Sequence, residues 1–273
     1  MLTATIVIDN IADEGLTAEW GFCVLINSNG IRVLLDTGAS EKYLQNVEKL
    51  GIDLSDVDYA VLSHAHYDHS GGYRAFFSRN DKAKLYVSAC CAEDCYAKHG
   101  FLRKYIGIPK GILSRYADRI ERAEDFTQLA DGIYLVSHQG RDLSMIGQKA
   151  HMYRKIKGRL QADDFSHEQS LVFSTAKGLV VFNSCSHAGI QNIVNDVAQC
   201  LPGQHIHMII GGMHLCDSAD AEVHKVAGII KTLAVDHVIT GHCTGDKAYA
   251  ILKEELGEHI SQTSVGLTIT VPD

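Results

Sequence analysis

Proline and long apolar runs are scarce in this chain of 273 residues. It contains only 3 prolines and no Pro-rich or Ser-rich linker, so we expect one domain over residues 1–273. No stretch approaches the ~20 uninterrupted apolar residues of a membrane helix, and residues 1–10 lack the basic leader of a signal peptide. We therefore expect a cytoplasmic protein that has no membrane partner.

Positive charge is also in deficit. Lys plus Arg number 25 and Asp plus Glu number 33, which gives a net charge of −8 at pH 7. Nucleic-acid binding needs clustered positive charge, so we expect no nucleic-acid partner. Hydrophobic residues make up 46% of the chain, as in ordinary globular proteins, which predicts a packed core. With such a core, the 8 scattered cysteines are expected to be buried thiols rather than a disulfide framework.

Short β-branched runs and helical periodicity alternate along the chain, which predicts an α/β fold. The predicted strands are 3–8, 22–26, 31–35, 59–62, 85–88, 133–136, 171–174, 179–183, 207–211, 237–240 and 267–271. The predicted helices run from Ser40 to Gly51 and over 190–200, 219–234 and 247–256. Residues 92–124 are polar and basic and predict an inserted helical lid, and residues 149–159 predict a loop.

Four candidate metal ligands follow the strand 59–62 within six residues, namely His64, His66, Asp68 and His69. In an extended segment His64 and His66 point to the same side, so one ion can take both imidazoles. The chain then turns into a helix, which can direct Asp68 and His69 at a second ion. A single histidine is usually a surface or satisfied core residue. Packing three imidazoles and a carboxylate together without a cation is costly in desolvation, so the cluster predicts a binuclear site.

The sequence resembles the metallo-β-lactamase superfamily. The resemblance is carried by His64-x-His66-x-Asp68-His69, by Leu35-Asp36-Thr37-Gly38, and by Ser186-His187 and Gly241-His242 at later strand ends. It implies an αββα sandwich of two mixed β-sheets flanked by helices, with the metal site at one edge. It further implies that His64 and His66 bind the first ion and that Asp68, His69 and His242 bind the second.

Three positions leave alternatives. Asp36 either orients a ligand imidazole through a hydrogen bond or is a turn residue before a helix. Where many relatives place a bridging aspartate, this chain has Cys185, which could bind the second ion, although a structural thiol is the preferred interpretation. We take His187 as the remaining ligand of the first ion, and His167 competes for that role because it also precedes a strand.

Further motifs resemble one branch of the superfamily, whose members are named 7,8-dihydropterin-6-methyl-4-(β-D-ribofuranosyl)aminobenzene 5′-phosphate synthases or metal-dependent hydrolases. They are Val7-Ile8-Asp9-Asn10, Glu168-Gln169-Ser170-Leu171, 184–190, 211–215 and 241–245. Within them, His214 follows Gly211 and Gly212, which allow close backbone approach, so His214 is a candidate proton donor, with an ordinary loop histidine as the alternative. Asp68 and His214 are the candidate catalytic residues.

The expected chemistry is hydrolysis. Two divalent ions lower the pKa of water from about 15.7 toward ~7 and polarise the substrate, so no serine or cysteine nucleophile is needed. Zinc suits the histidine-rich set, and manganese or iron is also compatible. The expected partner is a small ester-like molecule. It is anionic if the basic stretches 103–110 and 154–159 face it. The alternatives are a synthase of pterin-cofactor formation and a non-catalytic metal or ligand sensor.

Overall fold

Strands and short helices alternate along the chain in the computed structural model, which describes residues 1–138, 140 and 142–273. The strands, in chain order, are β1 (Leu2–Ile8), β2 (Cys23–Ser28), β3 (Ile31–Leu35), β4 (Tyr59–Val61), β5 (Lys84–Ser88), β6 (Cys95–His99), β7 (Leu102–Tyr105), β8 (Ile120–Ala123), β9 (Phe126–Ala130), β10 (Ile133–Ser137), β11 (Met152–Ile156), β12 (Arg159–Ala162), β13 (Gln169–Thr175), β14 (Gly178–Phe182), β15 (Ile206–Ile210), β16 (Val235–Thr240), β17 (Ile260–Gln262) and β18 (Thr268–Val271). The helices are α1 (Tyr43–Lys49), α2 (Tyr67–Ser70), α3 (Tyr73–Phe77), α4 (Ile112–Arg115), α5 (Leu143–Lys149), α6 (Ile190–Cys200), α7 (Asp220–Thr232) and α8 (Asp246–Leu256).

Two seven-stranded mixed sheets dominate the described part of the chain. The first has the order β18-β1-β2-β3-β4-β5-β8 and the second β17-β16-β15-β14-β13-β10-β9. In the first, β3, β4, β5 and β8 run parallel, and in the second β14, β15, β16 and β17 do. The remaining pairs are antiparallel, so both sheets are mixed, as expected.

The two sheets pack face to face. Ile6 and Val24 from the first sheet and Phe173 and Phe182 from the second are buried in one apolar cluster between them. A second cluster packs α1 and α3 on the outer face of the first sheet, and a third packs α6, α7 and α8 on the outer face of the second. These layers form an αββα sandwich, which confirms the predicted fold class. None of the helices in the described part of the chain combines the length and apolar character needed to cross a membrane.

The helical lid predicted over 92–124 is wrong. That segment holds strands β6 and β7, the one-turn helix α4 and strand β8, and Cys95 begins a strand rather than lying in a helix. β6 and β7 form a hairpin around Gly100, whose φ of 59° lies in the left-handed region that glycine tolerates. The polar composition was misleading because an antiparallel sheet with one solvated face carries as many charges as a surface helix.

The loop predicted over 149–159 is also wrong, because β11 and β12 form a hairpin there. β11 pairs with β6, so the two hairpins together make a four-stranded sheet with the order β12-β11-β6-β7. The turn at Lys157-Gly158 has both φ angles positive, 48° and 80°, which is the geometry of a tight hairpin turn.

One edge of the sandwich collects the ends of several strands. β3 and β4 end there in the first sheet, and β14, β15 and β16 end there in the second. β1 runs antiparallel to β2, which runs antiparallel to β3, so β1 also ends at this edge. In open α/β sheets the carboxyl ends of parallel strands line the ligand-binding crevice, and every predicted metal-ligating residue follows one of these strands.

Candidate metal centre

Three imidazoles form the first ligand group, His64, His66 and His187. The ring centroids of His64 and His66 are 4.6 Å apart, and the ring of His187 lies 4.8 Å from the first and 4.9 Å from the second. All three residues are buried. Among the described residues, no hydrogen-bond partner meets Nε2 of His64, Nε2 of His66 or either ring nitrogen of His187. A cation would satisfy these buried nitrogens, which otherwise incur a desolvation cost.

Four side chains form the second ligand group, Asp68, His69, His242 and Cys185. The Nε2 atoms of His69 and His242 are 3.1 Å apart, and Cys185 Sγ lies 3.3 Å from His69 Nε2. Asp68 Oδ2 lies 3.6 Å from His242 Nε2. Two imidazole nitrogens on a tetrahedral zinc ion are about 3.3 Å apart. The donors therefore have the chemistry and the mutual spacing that suit a divalent cation.

Asp36 holds imidazoles of both groups. Its carboxylate accepts the Nδ1–H of His69 at 2.7 Å and the hydroxyl of Ser63 at 2.7 Å. Because that hydroxyl donates to Asp36, it accepts the Nδ1–H of His64 at 2.8 Å. Both rings are thus held with Nε2 free for a metal. The structure confirms the hydrogen bond expected between Asp36 and an imidazole, that of His69. The alternative as a helix turn residue is wrong, since α1 begins only at Tyr43.

His242 is held by a pair of residues to which sequence reasoning gave no role. Asn10 Oδ1 accepts the His242 Nδ1–H at 3.2 Å, and Asn10 Nδ2 donates to the His242 carbonyl at 3.0 Å. Asp9 accepts the backbone N–H of His242 at 3.1 Å, and burial raises the pKa of Asp9 to about 6. The available signal was that both polar residues directly follow a buried strand, β1.

Burial keeps four of the imidazoles at this edge in the neutral form, whereas the pKa of His69 is raised above its ordinary value, because the Asp36 and Asp68 carboxylates outweigh the effect of burial. Burial lowers the pKa of His64 and of His187 well below the ordinary value and lowers that of His66 and His242 to about 3. Metal binding requires neutral imidazole, so these side chains are already in the ligating form.

His167 lies beside the first group and not in it. Its Nδ1 accepts the backbone N–H of Ala65 at 3.2 Å, so the proton of the neutral ring is on Nε2, which faces Asp163 Oδ2 at 3.2 Å. His66, Cys95, Asp163 and His167 do offer ligand atoms within 4.8 Å of one another. A ligating imidazole normally donates its other N–H, and His167 accepts there instead. Of the two alternatives, the structure therefore brings His187 to the first group.

His214 lies against the first group. Its ring centroid is 4.3 Å from that of His187, and its Nδ1 has no hydrogen-bond partner among the described residues. Its backbone N–H donates to Cys243 Sγ at 3.2 Å. Gly212 permits this packing, because a Cβ there would lie 2.4 Å from the Cys243 sulfur. Gly212 therefore allows a close approach to its backbone, as expected, and the group that approaches it here is the Cys243 side chain.

Arg154 lies in one of the basic stretches considered for binding an anionic substrate, but its guanidinium already contacts other residues of the protein. Arg154 is buried and donates to the Cys90 carbonyl at 2.6 Å and to the Ser166 hydroxyl at 2.8 Å, and it pairs with Asp94 and Asp164. Its role is to hold these loops together. Lys104 is exposed, and its Nζ lies 5.9 Å from the ring centroid of Tyr67.

Fold and site together define an αββα protein with a histidine-rich centre suited to divalent metal ions. A family model described as the metallo-beta-lactamase superfamily matches residues 18–142. The solved structure of Tm1679, named a metal-dependent hydrolase of the beta-lactamase superfamily, is 30% identical and has a TM-score of 0.86, covering 100% of both chains. The chain belongs to the metallo-beta-lactamase superfamily, whose fold implies divalent metal binding.

Two further similarities were found, one to a curated protein and one to a solved structure. A curated protein of Methanocaldococcus jannaschii, named 7,8-dihydropterin-6-methyl-4-(beta-D-ribofuranosyl)-aminobenzene-5'-phosphate synthase, is 28% identical over 261 residues, which is 91% of this chain and 88% of that protein. The structure of Zn(2+)-bound PqqB from Methylobacterium extorquens is 11% identical with a TM-score of 0.57, covering 98% of this chain and 100% of that chain. The second similarity shows the fold alone.

Proposed function

We propose that this protein is a metal-dependent hydrolase of small ester-like substrates, phosphorylated ones included, and that it holds two divalent cations. Zinc fits the donor set best, with manganese or iron as the alternatives. The observation that carries the proposal is the convergence of unpartnered nitrogens from His64, His66 and His187 beside the His69–His242 pair. When bound, such cations acidify water and polarise a carbonyl or phosphoryl oxygen.

Each ligand group serves one cation in this proposal. His64, His66 and His187 bind the first, and Asp68, His69 and His242 bind the second. Cys185 is the fourth ligand of the second cation, because its sulfur lies 3.3 Å from His69 Nε2. This assignment replaces the interpretation of Cys185 as a structural thiol.

His214 and Asp68 act on the substrate side. His214 is the proposed proton donor to the leaving group, through the Nδ1 that has no partner among the described residues. Asp68 keeps its carboxylate turned to the second group because its Oδ2 accepts the Trp20 indole N–H at 3.0 Å. Trp20 is half-exposed, so this hydrogen bond lies at the surface end of the centre.

Metal analysis combined with an activity panel tests the proposal. The protein loaded with zinc should bind two equivalents and turn over members of a panel of esters, phosphoesters, thioesters and lactones. His214→Asn should lower kcat on that panel and leave the zinc content unchanged. Two bound equivalents with no turnover on any member would contradict hydrolysis and favour a metal or ligand sensor.

The named synthase that this chain resembles over 91% of its length supports a second candidate, group transfer in pterin-cofactor formation. Transfer and hydrolysis differ in the acceptor. Product formation that requires an added aromatic amine would favour the synthase, and equal substrate loss with and without the amine would favour the hydrolase.

A further inference from the structure

The loop between β14 and α6 carries Cys185 and His187, one proposed ligand of each cation. Its backbone is strained, because Ser186 has a φ of 54°, in the left-handed region that side chains other than glycine rarely adopt. A loop of this conformation persists only where contacts hold it. Asn183 Oδ1 supplies one contact by accepting the Ser186 N–H at 2.7 Å.

Glu168 supplies the contacts at the other end of the loop. Its Oε1 accepts the backbone N–H of His187 at 2.8 Å, and its Oε2 accepts that of Ala188 at 2.8 Å. The residue is fully buried. None of the described lysine, arginine or histidine side chains forms an ion pair with it. Burying an unpaired carboxylate costs several kcal/mol, which two backbone N–H groups offset only in part.

A cation bound to the first group would balance the negative charge of the buried Glu168 carboxylate. His64, His66 and His187 are neutral ligands, so an ion bound to them keeps its full charge. Glu168 is fixed to the backbone of His187, on the side of the centre where the ligands carry no charge. The carboxylate is thus held at the backbone of a proposed ligand, where its negative charge is available to balance that of a cation.

We propose that Glu168 is a positioning residue of the metal centre, holding the His187 imidazole beside those of His64 and His66 and balancing the charge of the cations there. This inference rests on the proposed function, because it requires a bound metal. It goes further by assigning a role to a residue that touches neither metal nor substrate.

Glu168→Gln tests the inference, because it keeps the shape, removes the charge and replaces one of the two acceptor oxygens by an NH2 group. We expect zinc affinity, measured by competition with a chelator, to fall about 10- to 100-fold, as for other partners of metal ligands. We also expect the visible absorption spectrum of the Co²⁺-loaded protein to change. Glu168→Asp retains the charge and should recover part of the affinity. Asp58→Asn is the matched control: Asp58 also accepts a backbone N–H, from Arg32 at 2.9 Å, but pairs with Lys82, so zinc affinity should not change.

The outcomes separate the two proposals. Wild-type protein that binds no zinc would overturn both. Wild-type protein that binds zinc, with Glu168→Gln of equal affinity and an unchanged Co²⁺ spectrum, would overturn only the role of Glu168. If Glu168→Gln does not fold, Glu168→Asp decides. Its carboxylate is one methylene shorter and cannot reach both N–H groups in the same way, so positioning predicts a reduced zinc affinity. Wild-type affinity and an unchanged Co²⁺ spectrum in Glu168→Asp would contradict positioning by this carboxylate.

Discussion

The Nε2 atoms of His69 and His242 face each other at 3.1 Å, while Nδ1 of each ring is held by an oxygen acceptor, Asp36 for His69 and Asn10 for His242. Each ring donates its Nδ1–H to that acceptor, so the two Nε2 atoms point into the same small space. Two lone pairs at this distance repel unless a proton or a metal ion lies between them. In the proposed function a divalent cation takes the place of that proton.

Removing the first ligand group should remove metal. The double variant His64→Ala/His66→Ala is expected to lose at least one equivalent of bound zinc, measured by elemental analysis after desalting. His205→Ala/His207→Ala is the matched control, because both rings pair with the exposed Asp236 away from the centre. Unchanged zinc content in the first double variant would disprove the metal centre.

His187 and His167 should respond differently to substitution. His187→Ala removes a ligand, so zinc affinity should fall by at least tenfold. His167→Ala should retain zinc but lose about 1–3 kcal/mol of unfolding free energy, because Asp163 and the Ala65 N–H lose their partner. Chemical denaturation of the metal-free proteins measures the second effect. Zinc loss in His167→Ala with zinc retained in His187→Ala would reverse the assignment.

The chain's single tryptophan should report metal binding. Trp20 donates its indole N–H to Asp68, and its ring centroid lies 5.2 Å from that of His242. When the second group binds a cation, the charge beside the indole changes, so the intrinsic fluorescence should change in proportion to occupancy. Zinc titration of apo protein measures this, with His242→Ala as the variant that should lose the response. A response identical in both proteins would show that the signal does not come from this site.

Asn10 should affect zinc binding at the second site, because it orients the His242 imidazole. Asn10→Ala removes the acceptor that orients the imidazole, so affinity at the second site should fall about 10-fold while the first site is retained. Two-step zinc titration distinguishes the sites. Asn27→Ala is the control, because Asn27 Oδ1 accepts the Gly30 N–H in the β2–β3 turn, away from the metal centre. Equal second-site affinity in Asn10→Ala and wild type would contradict the orienting role.

Much of the fold could be predicted because local patterns carried it. The helix over 190–200 agrees residue for residue with α6, and most strands over apolar runs agree within one or two residues. The segments 92–124 and 149–159 were wrong because their strands are polar. The pairing of β6 with β11 joins residues far apart in the chain, and no local pattern in those segments indicates it.

The sequence by itself determined the α/β class, and its resemblance to a known superfamily implied the αββα sandwich. It also placed His64, His66, Asp68 and His69 together, because residues this close in the chain stay close in any fold. Only the tertiary structure showed that His187, unlike His167, has unpartnered ring nitrogens beside His64 and His66, and that Cys185 lies within reach of both groups. It also showed the hydrogen bonds that Asp9, Asn10 and Glu168 make to His242 and His187. The physical reason is that one ring nitrogen of a histidine can bind a metal ion only when the hydrogen-bond partner of the other nitrogen holds the proton there. That partner comes from a strand elsewhere in the sequence, as Asn10 does for His242.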